Sequence, residues 1–198
     1  MAKKRRRKQV YEFKPDREGT ALLKRLYLTR LQRLQILKWS LYAALCIGLL
    51  VIQDVIMSQF HISGATTDLV VAAVYLIGLY EGMENGSLFA LLASLFYLYS
   101  GSSPGPYAIG LLTALTMGLD LFRQRYWNKS YGSIMLCTFT AISLYEILIF
   151  LIGIFIETTI WPRVGVYLLT ALLTCAAALP LYPVVRSISK IGGTAWKD

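Results

Sequence analysis

The sequence predicts an all-α integral membrane protein: a six-transmembrane-helix bundle with a basic cytoplasmic N-terminal extension. Of the 198 residues, 56% are hydrophobic, which exceeds the roughly 45–50% typical of soluble domains. These residues are gathered in long blocks, as membrane spans require. Thirteen of the 20 lysines and arginines lie in residues 1–38, so a basic segment precedes a nearly neutral body. We therefore predict an extension at 1–38, a membrane domain at 39–185 and a cytoplasmic tail at 186–198.

Six apolar runs predict the spans. They cover residues 39–57, 65–80, 87–99, 107–122, 134–156 and 164–185. A span normally needs about 20 apolar residues, so the first, fifth and sixth runs are long enough, whereas the second and third are short. Short spans imply either local thinning of the bilayer or burial of the helix within the bundle.

The distribution of basic residues supports this count of spans. With the N-terminus in the cytoplasm, 19 of the 20 lysines and arginines fall on cytoplasmic segments, and only Arg163 falls outside. Cytoplasmic loops of membrane proteins carry an excess of Lys and Arg. The charges therefore predict that both termini are cytoplasmic.

The stretch "GLYEGMENG", residues 78–86, places Gly78, Gly82 and Gly86 four residues apart. This spacing is typical of membrane helices that pack closely through small residues. One continuous helix here would invert every later loop and place six basic residues outside the cell. The charges therefore predict a cytoplasmic turn between two closely packed helices, with Asn85 and Gly86 supplying the left-handed backbone that such turns tolerate.

The N-terminal extension has a basic helical pattern. From residue 20 onward leucines recur at helical spacing, with Lys24, Arg25, Arg30 and Arg33 between them. The pattern predicts an amphipathic helix that lies on an anionic lipid surface or contacts a partner, or else a helical extension whose arginines reach the interface. The run "KKRRRK" is also typical of nucleic-acid patches, but ahead of six spans a membrane role is favoured, and no nucleic-acid partner is predicted.

Four acidic residues lie in or beside the predicted spans: Asp54, Asp68, Asp120 and Glu146. Charged groups inside a membrane are costly, which makes them candidates for partner or cavity contacts. The three aspartates lie near span ends, where interfacial groups are common, and Asp120 has the spacing to pair with Arg123. Glu146 lies near the middle of the fifth span, so it must be protonated, paired or facing a cavity.

Catalytic motifs were not found. The sequence contains no HExxH, GxSxG or P-loop pattern, and its single histidine leaves little capacity for acid–base chemistry. Cys46, Cys137 and Cys175 each lie alone in an apolar run, without metal-ligand spacing. We predict that the protein is not an enzyme and has no metal or cofactor.

About 60 residues from Thr66 onward resemble the MreD rod-shape-determining family. The family pattern is an Asp or Asn, an apolar run, two glycines with about three residues between them, a second apolar run and a Ser-Gly-x-x-x-Gly turn. The matching positions here are Asp68, Gly82, Gly86, Ser100, Gly101 and Gly105. An acidic residue that is common near the end of the family's third helix is replaced by Tyr97.

The resemblance implies a non-enzymatic scaffold of the bacterial elongation machinery, the elongasome, as a multi-pass protein of the cytoplasmic membrane. It implies binding to MreC, a single-span protein, and contacts with MreB filaments and with the glycosyltransferase and transpeptidase that synthesise peptidoglycan. Control of cell shape would follow from these contacts.

The MreD fold is similar to that of the substrate-binding subunits of energy-coupling-factor vitamin transporters, which supplies the alternative function. In that class small residues of the first span, here Ala44 and Gly48, would dock the coupling subunit. The loops "SGSSPGP" and "HISGATTD" carry little charge with which to hold a ligand. This favours the scaffold.

Overall fold

A computed structural model describes residues 30–55, 64–126 and 130–191, with the backbone alone at residues 30, 31, 120 and 122–126. Within these ranges the regular elements are six α-helices and one 3-10 helix, Trp161–Arg163. The α-helices are α1 Arg30–Val55, α2 Leu69–Glu81, α3 Met83–Tyr99, α4 Tyr107–Tyr126, α5 Tyr131–Phe155 and α6 Val164–Ser189. Each corresponds to one of the six predicted apolar runs. The predicted basic residues Lys24 and Arg25 lie outside the described residues.

In the part of the chain that the structure describes, three helical stretches are long and apolar enough to cross a membrane: Gln32–Val55, Tyr131–Phe155 and Trp161–Ser189. Two shorter apolar helices, Leu69–Glu81 and Tyr107–Leu119, lie among them. The predicted all-α class is therefore confirmed, together with three candidate spans. The six-span count and the orientation in the membrane stay predictions.

Helix α2 lies at the centre of the bundle and packs against all five other helices. All of its 13 residues except Tyr80 are buried. Valine and isoleucine are only moderate helix formers in water, so burial of this uniformly apolar sequence holds the helix. At 1.5 Å per residue it is about 20 Å long. The short second run is thus explained by burial within the bundle, one of the two outcomes that its length predicted.

A single residue, Gly82, joins α2 to α3. Its backbone has φ 88° and ψ 176°, a conformation that is essentially restricted to glycine. The Gly82 N–H donates to the Gly78 carbonyl at 3.2 Å, and the Gly86 N–H donates to the Gly82 carbonyl at 2.8 Å. The chain therefore reverses within the predicted turn, residues 81–86, but the prediction that Asn85 and Gly86 supply its left-handed backbone is wrong, because both are helical and Gly82 has that role.

The early turn brings Gly86 of α3 onto Gly78 of α2. A Cβ atom added at Gly86 would lie 2.8 Å from both the Cα and the carbonyl oxygen of Gly78. A Cβ atom added at Gly78 would overlap Cγ2 of Thr116 on α4. Glycine at positions 78 and 86 lets α2, α3 and α4 approach closely. This contact outweighs the local preference of Asn85-Gly86 for a turn.

The helices alternate in direction and give the bundle two ends. The glycine-turn end holds Gly82 and the contact between the rings of Tyr131 and Tyr182, whose centroids are 4.7 Å apart. The cavity end holds Ser102, in the α3–α4 loop, and Arg163, in the α5–α6 connection. Helix α1 begins, and α6 ends, at the glycine-turn end.

Basic residues are unequally divided between the two ends. Among the described side chains, Arg33, Lys38, Arg186 and Lys190 belong to helix ends at the glycine-turn end, and Arg163 is at the cavity end. This division follows the charge pattern that predicted the topology. It also makes Arg163 an exception that needs a separate explanation.

Candidate functional site

An apolar groove runs between α1 and α3 on the outside of the bundle. It has a volume of about 420 Å³ and is lined by residues that include Trp39, Ala43, Ile47, Leu88, Leu92 and Phe96. Leu88, Leu92 and Phe96 are four residues apart and form a ridge along α3, as residues at this spacing do. Ile47, Leu88 and Phe96 are each more than half exposed, so the groove is open along its length.

Small residues on α1 lie next to this groove. Ala44 and Gly48 are both exposed, and a Cβ atom added at Gly48 would meet nothing within 4 Å. Small residues at a spacing of four allow another membrane helix to approach closely. The exposed face of α1 therefore has the composition of a helix-packing surface.

A buried ion pair ties α1 to the end of α2. Lys38 Nζ lies 2.7 Å from Glu81 Oε1, with side chains only 6% and 4% exposed. The Tyr42 hydroxyl donates to the same oxygen at 2.8 Å. Sequence analysis did not predict this cluster. A signal was present, because Lys38 is next to the start of the first span and Glu81 is at the same end of the second.

A second, polar cavity of about 280 Å³ opens at the cavity end. Its walls include Asp68, Tyr97, Tyr145, Glu146, Arg163 and Thr170. These residues come from α3, α5, α6 and the segments that precede α2 and α6. The cavity therefore gathers charged residues from distant parts of the chain. Of the three charged residues that line it within the described chain, Asp68 is the last residue of the loop "HISGATTD", Glu146 comes from α5, and Arg163 comes from the 3-10 helix before α6. The two loops that were expected to carry little charge thus supply one of the three, and the other two come from elsewhere in the chain.

Several polar atoms at this cavity lack a hydrogen-bond partner within the described ranges. They are the hydroxyl oxygens of Tyr97 and Tyr145 and Oε1 of Glu146, and the hydroxyl of Tyr75 behind them is in the same condition. Glu146 is only 4% exposed and the three tyrosines at most 1%. Buried polar groups nearly always have a partner, so four such atoms together are unusual.

Asp68, the residue before α2, is hydrogen-bonded to side chains of two neighbouring helices. Gln53 of α1 donates from Nε2 to Asp68 Oδ1 at 3.3 Å, and its Oε1 accepts from the Val70 N–H at 3.3 Å. The Asp68 N–H donates to Thr174 Oγ1 on α6 at 3.0 Å. These contacts fix the carboxyl group close enough to Glu146 for the two to interact electrostatically.

The structure brings together three of the four acidic residues that the sequence selected. Asp68 and Glu146 line the cavity, and Asp54 accepts a hydrogen bond from the Ser102 hydroxyl at its rim. Asp120 lies far along α4 toward the other end, and its side chain is outside the described set. No group of three or more His, Cys, Asp or Glu that could hold a metal forms among the described residues.

The remaining selected positions are divided between turns and helix ends. Gly101, with φ 80°, and Gly105 lie in the α3–α4 loop beside the cavity. Arg33 is exposed near the start of α1, and Arg30 begins that helix. Sequence analysis did not select Tyr97 or Arg163 as site residues, although Arg163 stood out there as the single basic residue on its side.

No family model, no curated protein and no solved structure matches this chain. Within the described residues the fold and composition define the class: all-α, with three helices long and apolar enough to cross a membrane.

Proposed function

We propose that this protein is a non-enzymatic membrane scaffold of the MreD type, which binds a single-span partner and supports peptidoglycan synthesis during cell elongation. The observation that carries the proposal is the open apolar groove between α1 and α3. Its ridge of large side chains on α3 and the small residues of α1 provide the surface that a partner transmembrane helix needs.

The shape of the groove matches a helix better than a compact ligand. Its lining residues run from Trp39 to Leu50 on α1 and from Asn85 to Phe96 on α3, so at 1.5 Å per residue the groove is about 17 Å long. Helices in a membrane associate through close packing of side chains and backbones rather than through exclusion of water. Filling the floor of the groove should therefore remove the partner without unfolding the bundle.

The direct test uses two matched alanines. Ala43 lines the groove and is exposed, whereas Ala176 is exposed on α6 and away from the groove. We expect Ala43→Trp to lower co-purification with a co-expressed MreC-like protein at least tenfold, and Ala176→Trp to leave it unchanged. Equal recovery with both variants would contradict the assignment of the groove.

The cellular role has its own readout. Under the proposal, depletion of the protein from a rod-shaped host gives rounded cells with mislocalised wall synthesis, and association with the glycosyltransferase, the transpeptidase and MreB filaments is lost with the partner. Normal rods after depletion would contradict the scaffold function even if the groove binds a helix.

A second candidate, a substrate-binding subunit of an energy-coupling-factor transporter, is favoured by one observation, the polar cavity with its two carboxyl groups. This candidate predicts co-purification with an integral coupling subunit and its ATPases. It also predicts impaired vitamin uptake, with cell shape retained, when the protein is depleted.

A further inference from the structure

The polar cavity lies next to an apolar cleft on the outside of the bundle. The cleft, between α5 and α6, has a volume of about 290 Å³ and is lined by residues that include Ile147, Phe150, Leu168 and Leu172. Glu146 and Tyr167 line both spaces. A ligand in this pair of spaces would meet charge at one end and hydrocarbon at the other, so it would be amphiphilic.

The inner wall of the cavity favours a cation. Asp68 and Glu146 place two carboxyl groups beside one small space, and like charges in such a site disfavour each other's ionisation until a positive charge enters. The hydroxyl oxygens of Tyr97 and Tyr145 and Oε1 of Glu146 are without partners among the described residues. An ammonium group carries up to three donors for these acceptors, and the tyrosine rings add attraction for a cation.

The rim of the cavity favours an anion. Arg163 is exposed there and, within the described part of the chain, forms no salt bridge. A guanidinium group matches phosphate geometry in a bidentate manner. This gives the single basic residue at the cavity end a reason to be there, despite the preference of basic residues for the opposite side.

We propose that the cavity and the cleft together bind a zwitterionic amphiphile, with its ammonium group near Asp68 and Glu146, its phosphate near Arg163 and its hydrocarbon chain between α5 and α6. The cavity of about 280 Å³ has room for about nine water-sized groups at about 30 Å³ each, near the roughly eight heavy atoms of a phosphoethanolamine group. Glu146 lies nine residues before Phe155, so the headgroup would reach about 14 Å below the end of α5.

The same headgroup chemistry is found in a membrane lipid and in a free soluble molecule. The exposed apolar lining of the cleft, where Leu168 and Leu172 are more than half exposed, favours the lipid. The experiment therefore compares dioleoyl phosphatidylethanolamine with glycerophosphoethanolamine, which has the headgroup without the chains. Dioleoyl phosphatidylglycerol, which lacks the ammonium group, serves as the reference lipid.

The test is a titration of the delipidated full-length protein in detergent, read by native mass spectrometry. We expect phosphatidylethanolamine to bind at least tenfold more tightly than phosphatidylglycerol. Glu146→Gln and Arg163→Gln should each weaken phosphatidylethanolamine binding about tenfold, because each removes a charge-assisted hydrogen bond to the headgroup. Glu157→Gln and Arg33→Gln, which remove the same charges outside the cavity, should change nothing.

The possible results distinguish a lipid site from a site for a free ligand and from the absence of such a site. Binding of the soluble headgroup as tightly as the lipid would support the polar site and assign it to a free ligand, whereas much weaker binding would support the lipid. Equal affinity for the two lipids, or an unchanged affinity in the Arg163 variant, would overturn the proposal. Because Arg163 is exposed, its variant remains informative even if the Glu146 variant folds poorly. The readout needs no protein partner, so it stands or falls separately from the scaffold function.

Discussion

Replacing Gly86 with alanine should loosen the contact between α2 and α3. The added Cβ atom would lie 2.8 Å from the Cα and the carbonyl oxygen of Gly78, whereas non-bonded carbon atoms prefer separations of about 3.5–4.0 Å. Both obstructing atoms belong to the backbone, so no side-chain rotation removes the overlap. The two helices would have to separate by roughly 1 Å.

The expected loss of stability follows from two opposing effects. Overpacking of this kind typically costs about 1–3 kcal/mol, and the higher helix propensity of alanine returns about 1 kcal/mol. Gly110 and Gly118 on α4 are helical glycines at which an added Cβ meets nothing within 4 Å, so alanine there should only gain the propensity. The matched variants should therefore differ by about 2 kcal/mol in the free energy of unfolding.

Thermal unfolding of the purified protein, followed by fluorescence-detected gel filtration, measures this difference. In a protein of this size, 1 kcal/mol shifts the midpoint by about 2–4 °C, so Gly86→Ala should melt about 4–8 °C below Gly110→Ala. If Gly86→Ala proved as stable as Gly110→Ala, the close approach of α2 and α3 would be refuted.

Gly78 and Gly82 extend the same argument with different causes. At Gly78 the obstruction is Cγ2 of Thr116, so Thr116→Ser should recover most of the stability lost in Gly78→Ala. The same serine substitution should not rescue Gly86→Ala. At Gly82 space is free, but the φ of 88° makes alanine strained by about 1–3 kcal/mol.

Three further results are expected. Glu81→Gln should lower the free energy of unfolding by about 3–5 kcal/mol because it leaves Lys38 buried and unpaired. Adding Lys38→Met should recover part of that loss. If the effects of the two substitutions were strictly additive, the ion pair would be contradicted. Glu157, the residue after the α5 cap, has φ 62°, so Glu157→Gly should stabilise by about 1 kcal/mol, and a lower melting temperature would contradict the left-handed cap. Reporter fusions after Gly101 and after Lys129 should report opposite compartments, outside and inside, and a shared compartment would exclude the six-span topology.

Hydrophobic patterning and charge determined most of the architecture. Each of the six apolar runs became one helix, because a run of apolar residues can bury its backbone polar groups only by forming internal hydrogen bonds. The basic residues predicted a reversal within residues 78–86, and the chain reverses there. These features follow from local composition, which a single sequence displays directly.

The exact turn was decided by tertiary contact. Asn-Gly is a strong local turn signal, yet Asn85 and Gly86 are helical. Placing the reversal at Gly82 instead lets Gly86 meet Gly78, and this packing of helices outweighs the small preference of two residues for a turn. The local sequence does not show whether the packing of Gly86 on Gly78 or the turn preference of Asn85-Gly86 is the stronger effect.

For the polar cavity too, the sequence indicated some of the residues, and the tertiary structure decided how they are brought together. Asp68 and Glu146 could be selected from the sequence, because an acidic residue in or beside an apolar run is unusual wherever its partners lie. That they share one cavity with Tyr97 and Arg163 was decided only by the fold, since these four residues span 96 positions of the chain and come together through the antiparallel packing of the helices. The order of the spans indicates which end of the bundle a residue is near, but it does not determine which helices pack side by side, and that packing decides whether these residues share one cavity.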